Sequence, residues 1–212
     1  HRVTTGHETL STVYQTSRGE VSTQIRYGPD FLASGMSIPD ILEPAIKTAD
    51  DYPRVAEIVS KIRIVPTPTA YERYRSRIGE QGVAVAYLCA AASPMQHIMR
   101  DLRKVEAFFL DRVDDPGPVE ALAEELARVY DEIVGAALAS SAEVAMLGAN
   151  YDDAITYPPF FRDSIMPSLR KAAERLHAAG KLLLTHTDGE NQRLLPLFPQ
   201  SCFDVADSVC PA

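Results

Sequence analysis

The alternation of short apolar runs with helical segments is the feature that most constrains how this chain can fold. Four runs recur after residue 82, namely GVAVAYLCA (82–90), EVAMLGA (143–149), KLLLTH (181–186) and FDVADSV (203–209). Such runs are typical of parallel strands that are buried on both faces. Helical patterns separate them, so we predict an α/β protein built from βαβ units.

The segments around these runs carry their own signals. Residues 114–140 predict a long amphipathic helix that starts at Asp115-Pro116. Residues 160–180 predict a helix that is interrupted near Pro167 and ended by Gly180. The remaining predictions are a hairpin over 11–27, a loop over 28–43, helices over 45–62 and 69–80, and a short helix around 192–199.

A sheet of this kind closes as a barrel or stays open. No Gly-rich phosphate loop follows the first predicted strand, which disfavours a dinucleotide-binding sheet. A TIM-type (β/α)8 barrel takes about 250 residues, and this chain of 212 residues shows four strand units. We therefore expect one domain over 1–212, with an N-terminal β-hairpin and loop (1–44) before the first part of an incomplete barrel (45–212). Further site residues would lie in the remainder.

Polar side chains follow the predicted strands at their carboxyl ends, where sites of parallel α/β folds lie. The candidate site residues are Asn150, Asp152, Asp153, Tyr157, His186, Asp188 and Cys210. Each also has a structural interpretation. His186 could simply bond the backbone, Asp188 could cap a following helix, and the 150–153 segment could be a solvated turn. Tyr157 could pack before a proline pair, whereas Cys89 is expected in the core.

Composition limits the partners. The net charge is −8 without a Lys/Arg cluster, which disfavours nucleic acid. No apolar run approaches the ~20 residues that span a bilayer. Three cysteines form no disulfide framework, so we expect a cytoplasmic protein. The expected partner is a small-molecule substrate, and exposed helices are compatible with a homodimer.

The segment ITYPPFFRDSIMPSLRKAAERLHAAGKLLLTHTDGENQRLLPLFPQSCFDVADSVCPA (155–212) resembles the uroporphyrinogen decarboxylase superfamily. Its pattern is P-x-x-F, A-G-K before a strand ending in H-x-x-G, then L-L-P-L and F-D-V. EPAIKTADDYPRV (43–55) is also similar to the family. Within the superfamily, the chain is more similar to the corrinoid-dependent methyltransferases than to the decarboxylases.

The resemblance implies a (β/α)8 barrel enzyme that moves a methyl group from a small methylated substrate to a corrinoid, held by a carrier protein. It implies zinc or another divalent metal on His186 and Asp188, and Cys210, at the end of the next predicted strand, could supply a third, sulfur ligand. Asn150, Tyr157 and Asp188 would bind substrate, while Asp152, Asp153 and His186 would be catalytic. The methyltransferases usually read H-x-C-G where this chain has His186-Thr187-Asp188-Gly189, so the metal site would be harder and less thiophilic.

Two other functions stay open. A uroporphyrinogen decarboxylase of porphyrin biosynthesis, a lyase, would need neither metal nor cofactor. The arginines of the first 40 residues are Arg2, Arg18 and Arg26, and they do not form that enzyme's R-Q-A-G-R-type segment. A non-catalytic protein that binds a corrinoid protein or a tetrapyrrole is the third interpretation.

Overall fold

The structure is a computed structural model that describes residues 1–35, 39–148 and 150–210. It divides into two compact units, the first formed by residues 1–62 and 98–126 and the second by residues 63–97 and 127–212. Within the described residues, no helix is both long enough and apolar enough to cross a bilayer.

The first unit is built on an antiparallel sheet in the order β1-β2-β3-β4. The strands are β1 (Arg2–Thr5), β2 (Thr9–Thr16), β3 (Gly19–Arg26) and β4 (Asp40–Glu43). The predicted hairpin is confirmed as β2 and β3, in register from Thr9↔Arg26 to Thr16↔Gly19. The prediction of a plain loop over 28–43 is wrong, because helix α1 (Pro29–Ala33) and strand β4 lie there. Residues 36–38 of that loop lie outside the described part.

Helices complete the first unit. A 3₁₀ turn (Ala49–Asp51) leads into α2 (Tyr52–Ser60), where Thr48 and Asp51 form a capping box. A π-helical turn (Ile98–Leu102) precedes α5 (Val105–Asp114) and the first part of α6 (Pro116–Ala139). The predicted apolar stripe of α6 is confirmed here, since Val119, Leu122 and Leu126 are all buried.

The second unit is an α/β layer around a parallel sheet in the order β5-β6-β7-β8. Its strands are β5 (Val85–Tyr87), β6 (Val144–Met146), β7 (Leu182–His186) and β8 (Val205–Asp207). Its helical elements are α3 (Pro68–Ile78), a 3₁₀ turn (Gly79–Gln81), α4 (Pro94–His97), the rest of α6, α7 (Pro158–Phe160), a π-helical turn (Phe161–Ile165), α8 (Met166–Ala178) and a 3₁₀ helix (Leu195–Ser201). The predicted interruption near Pro167 is this π-helical turn.

The strands are shorter than the apolar runs that predicted them, and Ala149, at the end of the second run, lies outside the described residues. The expectation that β5 is buried on both faces is wrong, because Val83 and Tyr87 around it are 67% and 61% exposed. β5 pairs only with β6, so one edge of this strand has no neighbouring strand in the described sheet. Cys89, expected in the core, is also exposed.

Candidate functional site

The parallel register brings the carboxyl ends of three neighbouring strands together in the second unit. Met146 of β6 pairs with Leu184 of β7. His186, the last residue of β7, pairs with Asp207, the last residue of β8. The polar residues that follow β6 and β7 therefore share one edge of the sheet with Asp207, which is where α/β folds place chemistry.

His186 and Asp207 form a hydrogen-bonded pair at this edge. Nδ1 of His186 lies 3.0 Å from Oδ2 of Asp207. This hydrogen bond is the largest factor that lowers the pKa of Asp207 below its ordinary value. The carboxylate therefore stays ionised below its ordinary range and accepts from Nδ1–H, which leaves Nε2 as the other polar atom of the ring. The side chains are 28% and 49% exposed, so a substrate can reach them.

Asp207 was not among the residues predicted from the sequence. The available signal was the last polar residue of the FDVAD run, which parallel pairing places opposite His186. Between the two strand ends, Thr187 fastens the chain, because both its backbone N–H (2.8 Å) and its Oγ1 (2.7 Å) donate to the carbonyl oxygen of Asp207.

Asn150 and Asp188 form a second polar pair, after β6 and β7. Nδ2 of Asn150 donates to Oδ2 of Asp188 at 3.4 Å. The backbone beneath them is bonded as well, from the Tyr151 N–H to the Asp188 carbonyl at 3.0 Å and from the Asp153 N–H to the Glu190 carbonyl at 2.8 Å. The structure thus brings together these two predicted substrate-binding residues on two loops that are joined through their backbones.

Gly189 is required where these loops meet. Its φ is +118°, and a Cβ at this position would overlap the carbonyl oxygen of Tyr151. Only glycine accepts both the conformation and the close approach. The H-x-x-G pattern of the sequence therefore has a physical cause, which is the contact of the 187–190 loop with the segment after β6.

Tyr151 supports the site from below. It is fully buried, its hydroxyl lies 2.8 Å from Oγ1 of Thr185, and its ring meets Phe161 edge-on at 5.4 Å between centroids. Burial raises the pKa of its phenol, so Tyr151 stays neutral. Tyr151 is therefore a core residue, and its hydrogen bond to Thr185 attaches the segment next to Asn150 to strand β7.

Three other predicted residues take part in loop structure. Asp152 accepts from the Ala154 N–H at 2.8 Å, which is the geometry of an Asx-turn. Asp153 accepts from the Arg193 N–H at 2.8 Å. Tyr157 is half-buried and stacks on Phe160 with ring centroids 6.1 Å apart. Their catalytic and substrate-binding roles stay predictions.

The predicted metal ligands are not gathered into one cluster. Among residues 1–35, 39–148 and 150–210, the group of three ligands with donor atoms all within 4.8 Å of one another is His7, Glu8 and Asp30, in the first unit. His186, Asp188 and Cys210 do not reach that mutual distance in the described part of the chain. This donor set therefore does not fit a preformed tetrahedral zinc site, which needs at least three protein ligands around one ion.

Comparisons with known proteins add a structural similarity. No family model and no curated protein matches the chain. Among solved structures, the chain is similar to a methyltransferase from Methanosarcina mazei, with a TM-score of 0.47 and 16% sequence identity. The match covers 80% of this chain and 49% of that protein, so the chain spans about half of its length.

Proposed function

We propose that this chain is part of a (β/α)8-type methyltransferase with its site at the carboxyl ends of the parallel strands. The enzyme moves a methyl group from a small methyl ether or thioether to a corrinoid on a carrier protein. His186 is the proton donor to the leaving oxygen or sulfur. The observation that carries this proposal is the His186–Asp207 pair at the carboxyl ends of adjacent parallel strands. The sequence resemblance to the corrinoid-dependent methyltransferases supplies the reaction class.

The strand order supports the barrel part of the proposal. The four parallel strands lie side by side in chain order. A doubly wound sheet reverses its strand order at a switch point, and no reversal occurs among the described strands of this sheet. Sequential order is the arrangement of a (β/α)8 barrel, whose sites also lie beyond the carboxyl ends of the strands.

The chemical demand falls on the leaving group. When the bond between the methyl carbon and oxygen or sulfur breaks, its electron pair stays on that heteroatom, which then needs a proton. In the protonated ring, Nδ1–H is held by Asp207, and Nε2–H donates the proton to the leaving atom. A corrinoid supplies, when bound, the reduced cobalt atom that accepts the methyl group. The exposure of the pair suits a cofactor that a carrier protein brings to the site.

Asn150 and Asp188 would hold the substrate beside His186. One carboxylate oxygen of Asp188 accepts from Asn150, which leaves the other oxygen for a hydroxyl or N–H group of the substrate. Asp188 stands where the related methyltransferases usually have a zinc-binding Cys. A carboxylate there serves hydrogen bonding, and protonation by His186 meets the need that a Lewis acid would otherwise meet.

The charge of this edge disfavours the decarboxylase. Uroporphyrinogen-type substrates carry many carboxylates, and the strand-end loops here are rich in the same charge. The acidic residues are Asp152, Asp153, Asp188, Glu190 and Asp207. A polyanion would be repelled by such a surface, whereas a neutral methyl donor would not.

The test is a methyl-transfer assay with cob(I)alamin and a panel of small methyl ethers and thioethers. His186→Asn should lower kcat/KM by about 100-fold or more, because it removes the proton donor. Asp207→Asn should lower it by at least about 10-fold, because the ring loses its orienting carboxylate.

His177→Asn is the matched control. His177 also pairs with an aspartate, Asp204, at 2.8 Å, but this pair lies at the amino end of the sheet. We expect kcat/KM of this variant to stay near the wild-type value. Equal losses in the His177 and His186 variants would contradict the assigned role. Binding of methyl donors without turnover would favour a non-catalytic binding protein.

A further inference from the structure

Asn191 lies next to the site and has a pattern of contacts that packing alone does not explain. It is 3% exposed, and its side-chain nitrogen donates to the carbonyl oxygens of Thr187 and, at 2.8 Å, of Gly189. Those two carbonyls belong to the residues on either side of Asp188. One side chain therefore fastens the backbone before and after the proposed substrate-binding carboxylate.

The same side chain carries a buried oxygen without a partner. Among the described residues, Oδ1 of Asn191 is the buried side-chain polar atom for which no hydrogen bond is found. A reversed amide would be worse, because it would place the oxygen against two carbonyl oxygens and leave the nitrogen unpaired. An unpaired buried acceptor destabilises the fold, so this amide is poorly suited to a purely stabilising role.

The backbone of Asn191 ties the loop to the element that follows. Its carbonyl oxygen accepts from the N–H groups of Leu194 at 2.8 Å and Leu195 at 3.0 Å, where the 3₁₀ helix begins. The side chain thus connects a fixed point of the fold to the 187–189 backbone. Asp188, which Asn150 contacts, lies between the two carbonyl groups that Asn191 bonds.

We propose that Asn191 is a positioning residue, which holds Asp188 in the orientation that binds the substrate. It contacts no reacting atom itself. This inference rests on the proposed function for its kinetic consequence, but the geometric part stands independently of the reaction. Asn191→Ala removes both donors, whereas Asn191→Asp keeps the shape and replaces the NH2 group by an oxygen.

The kinetic test is a double-mutant cycle with Asp188→Asn, using the methyl donor that the wild-type protein turns over fastest. Each single variant should lower kcat/KM by about 10-fold, mainly through KM, and the double variant should lose little more than the worse single variant, because both changes remove one interaction. Asn191→Asp should be as impaired as Asn191→Ala. A near-wild-type Asn191→Asp variant, or losses that multiply to about 100-fold, would overturn the proposal.

Ser201→Ala is the matched control, because Ser201 is also fully buried and bonds a backbone carbonyl, that of Leu197 at 3.1 Å. Its kcat/KM should stay near wild type, and its effect should multiply independently with Asp188→Asn. If the loss in kcat/KM multiplies with that of Asp188→Asn for Ser201→Ala but not for Asn191→Ala, then Asn191 positions Asp188 and does not merely stabilise the fold.

Hydrogen exchange separates this inference from the proposed reaction. The amides of Tyr151 and Asp153 donate to the 188–190 loop, whereas the amide of Leu183 donates to Asp204 at the other end of β7. In Asn191→Ala, the first two should exchange about 10-fold faster, with Leu183 unchanged, as for local opening. This outcome, with no methyl transfer by the wild-type protein, would refute the reaction and keep the positioning role. Unchanged or uniformly faster exchange would refute the positioning role.

If the variant does not fold, exchange of the Asn191 side-chain amide in the wild-type protein tests the same hydrogen bonds. Slow exchange supports them, and fast exchange refutes them.

Discussion

Replacement of Gly189 by alanine tests the packing under the site. At φ +118° a side chain is strained, and the added Cβ would overlap the Tyr151 carbonyl oxygen and lie 3.0 Å from its carbon. The strain alone costs about 1–3 kcal/mol. Overpacking against the backbone adds about 1–3 kcal/mol, so Gly189→Ala should lower the free energy of unfolding by about 2–6 kcal/mol.

Gly180 provides the control. It ends α8 with φ +70°, but no atom lies within 4 Å of an added Cβ. Gly180→Ala should therefore show the conformational cost alone, about 1–2 kcal/mol. Urea unfolding followed by circular dichroism suits this chain, which has no tryptophan. An equal loss of unfolding free energy in the two variants would show that Gly189 does not touch Tyr151. The described contact between the 187–190 loop and the segment after β6 would then be wrong.

Further predictions concern acid stability, a buried hydroxyl and metal removal. Burial would raise the pKa of Asp111, but hydrogen bonds from Arg103 and Tyr52 outweigh it and lower the pKa below its ordinary value. The contribution of this carboxylate to the stability of the fold is therefore complete above the usual carboxyl pKa and is lost as pH falls through the lowered value. Urea titrations between pH 6 and pH 2 should show this loss, and Asp111→Asn should flatten it; an unchanged pH profile would contradict it. Tyr151→Phe removes the bond to Thr185 and should cost about 1–3 kcal/mol in the same assay, whereas Tyr74→Phe, at an exposed position, should cost little. Dialysis against a chelator should leave methyl transfer unchanged, and loss of activity that zinc restores would show that the metal prediction was right.

The sequence predicted the elements of the fold better than their contacts. Apolar runs and helix periodicity identified the parallel strands and α6, because buried strands and amphipathic helices follow local patterns. The short strands and the exposure of Tyr87 could not be predicted from the sequence. They depend on which strands have a neighbour on both sides, and β5 has a strand on one side in the described sheet. Strand β4 was missed because it forms by pairing with β3, which is a tertiary contact. The glycines and prolines of the 28–43 segment instead indicate a loop.

The site was predictable in part for the same reason. The His186-to-Gly189 motif marked the strand end, and parallel topology placed Asn150 beside Asp188. Asp207 and Asn191 were not predicted, because the contacts that single them out, with His186 and with the 187–189 backbone, exist only in the folded register. The predicted metal ligands His186 and Asp188 came from the family motif, whereas Cys210 was added because it follows the next strand. The number of residues between Cys210 and His186 contains no information about their distance in space.

The dependence of methyl transfer on the leaving group decides whether His186 donates a proton to the leaving atom. Wild-type and His186→Asn proteins would be compared on methyl ethers that range from alkyl ethers to aryl ethers with acidic phenols. Poor leaving groups need the proton most, so the loss in kcat/KM should reach about 100-fold or more for alkyl ethers and should shrink steadily as the phenol becomes more acidic. A loss that is the same for every ether would show that His186 does not protonate the leaving atom, and the proposed role of the His186–Asp207 pair would be wrong.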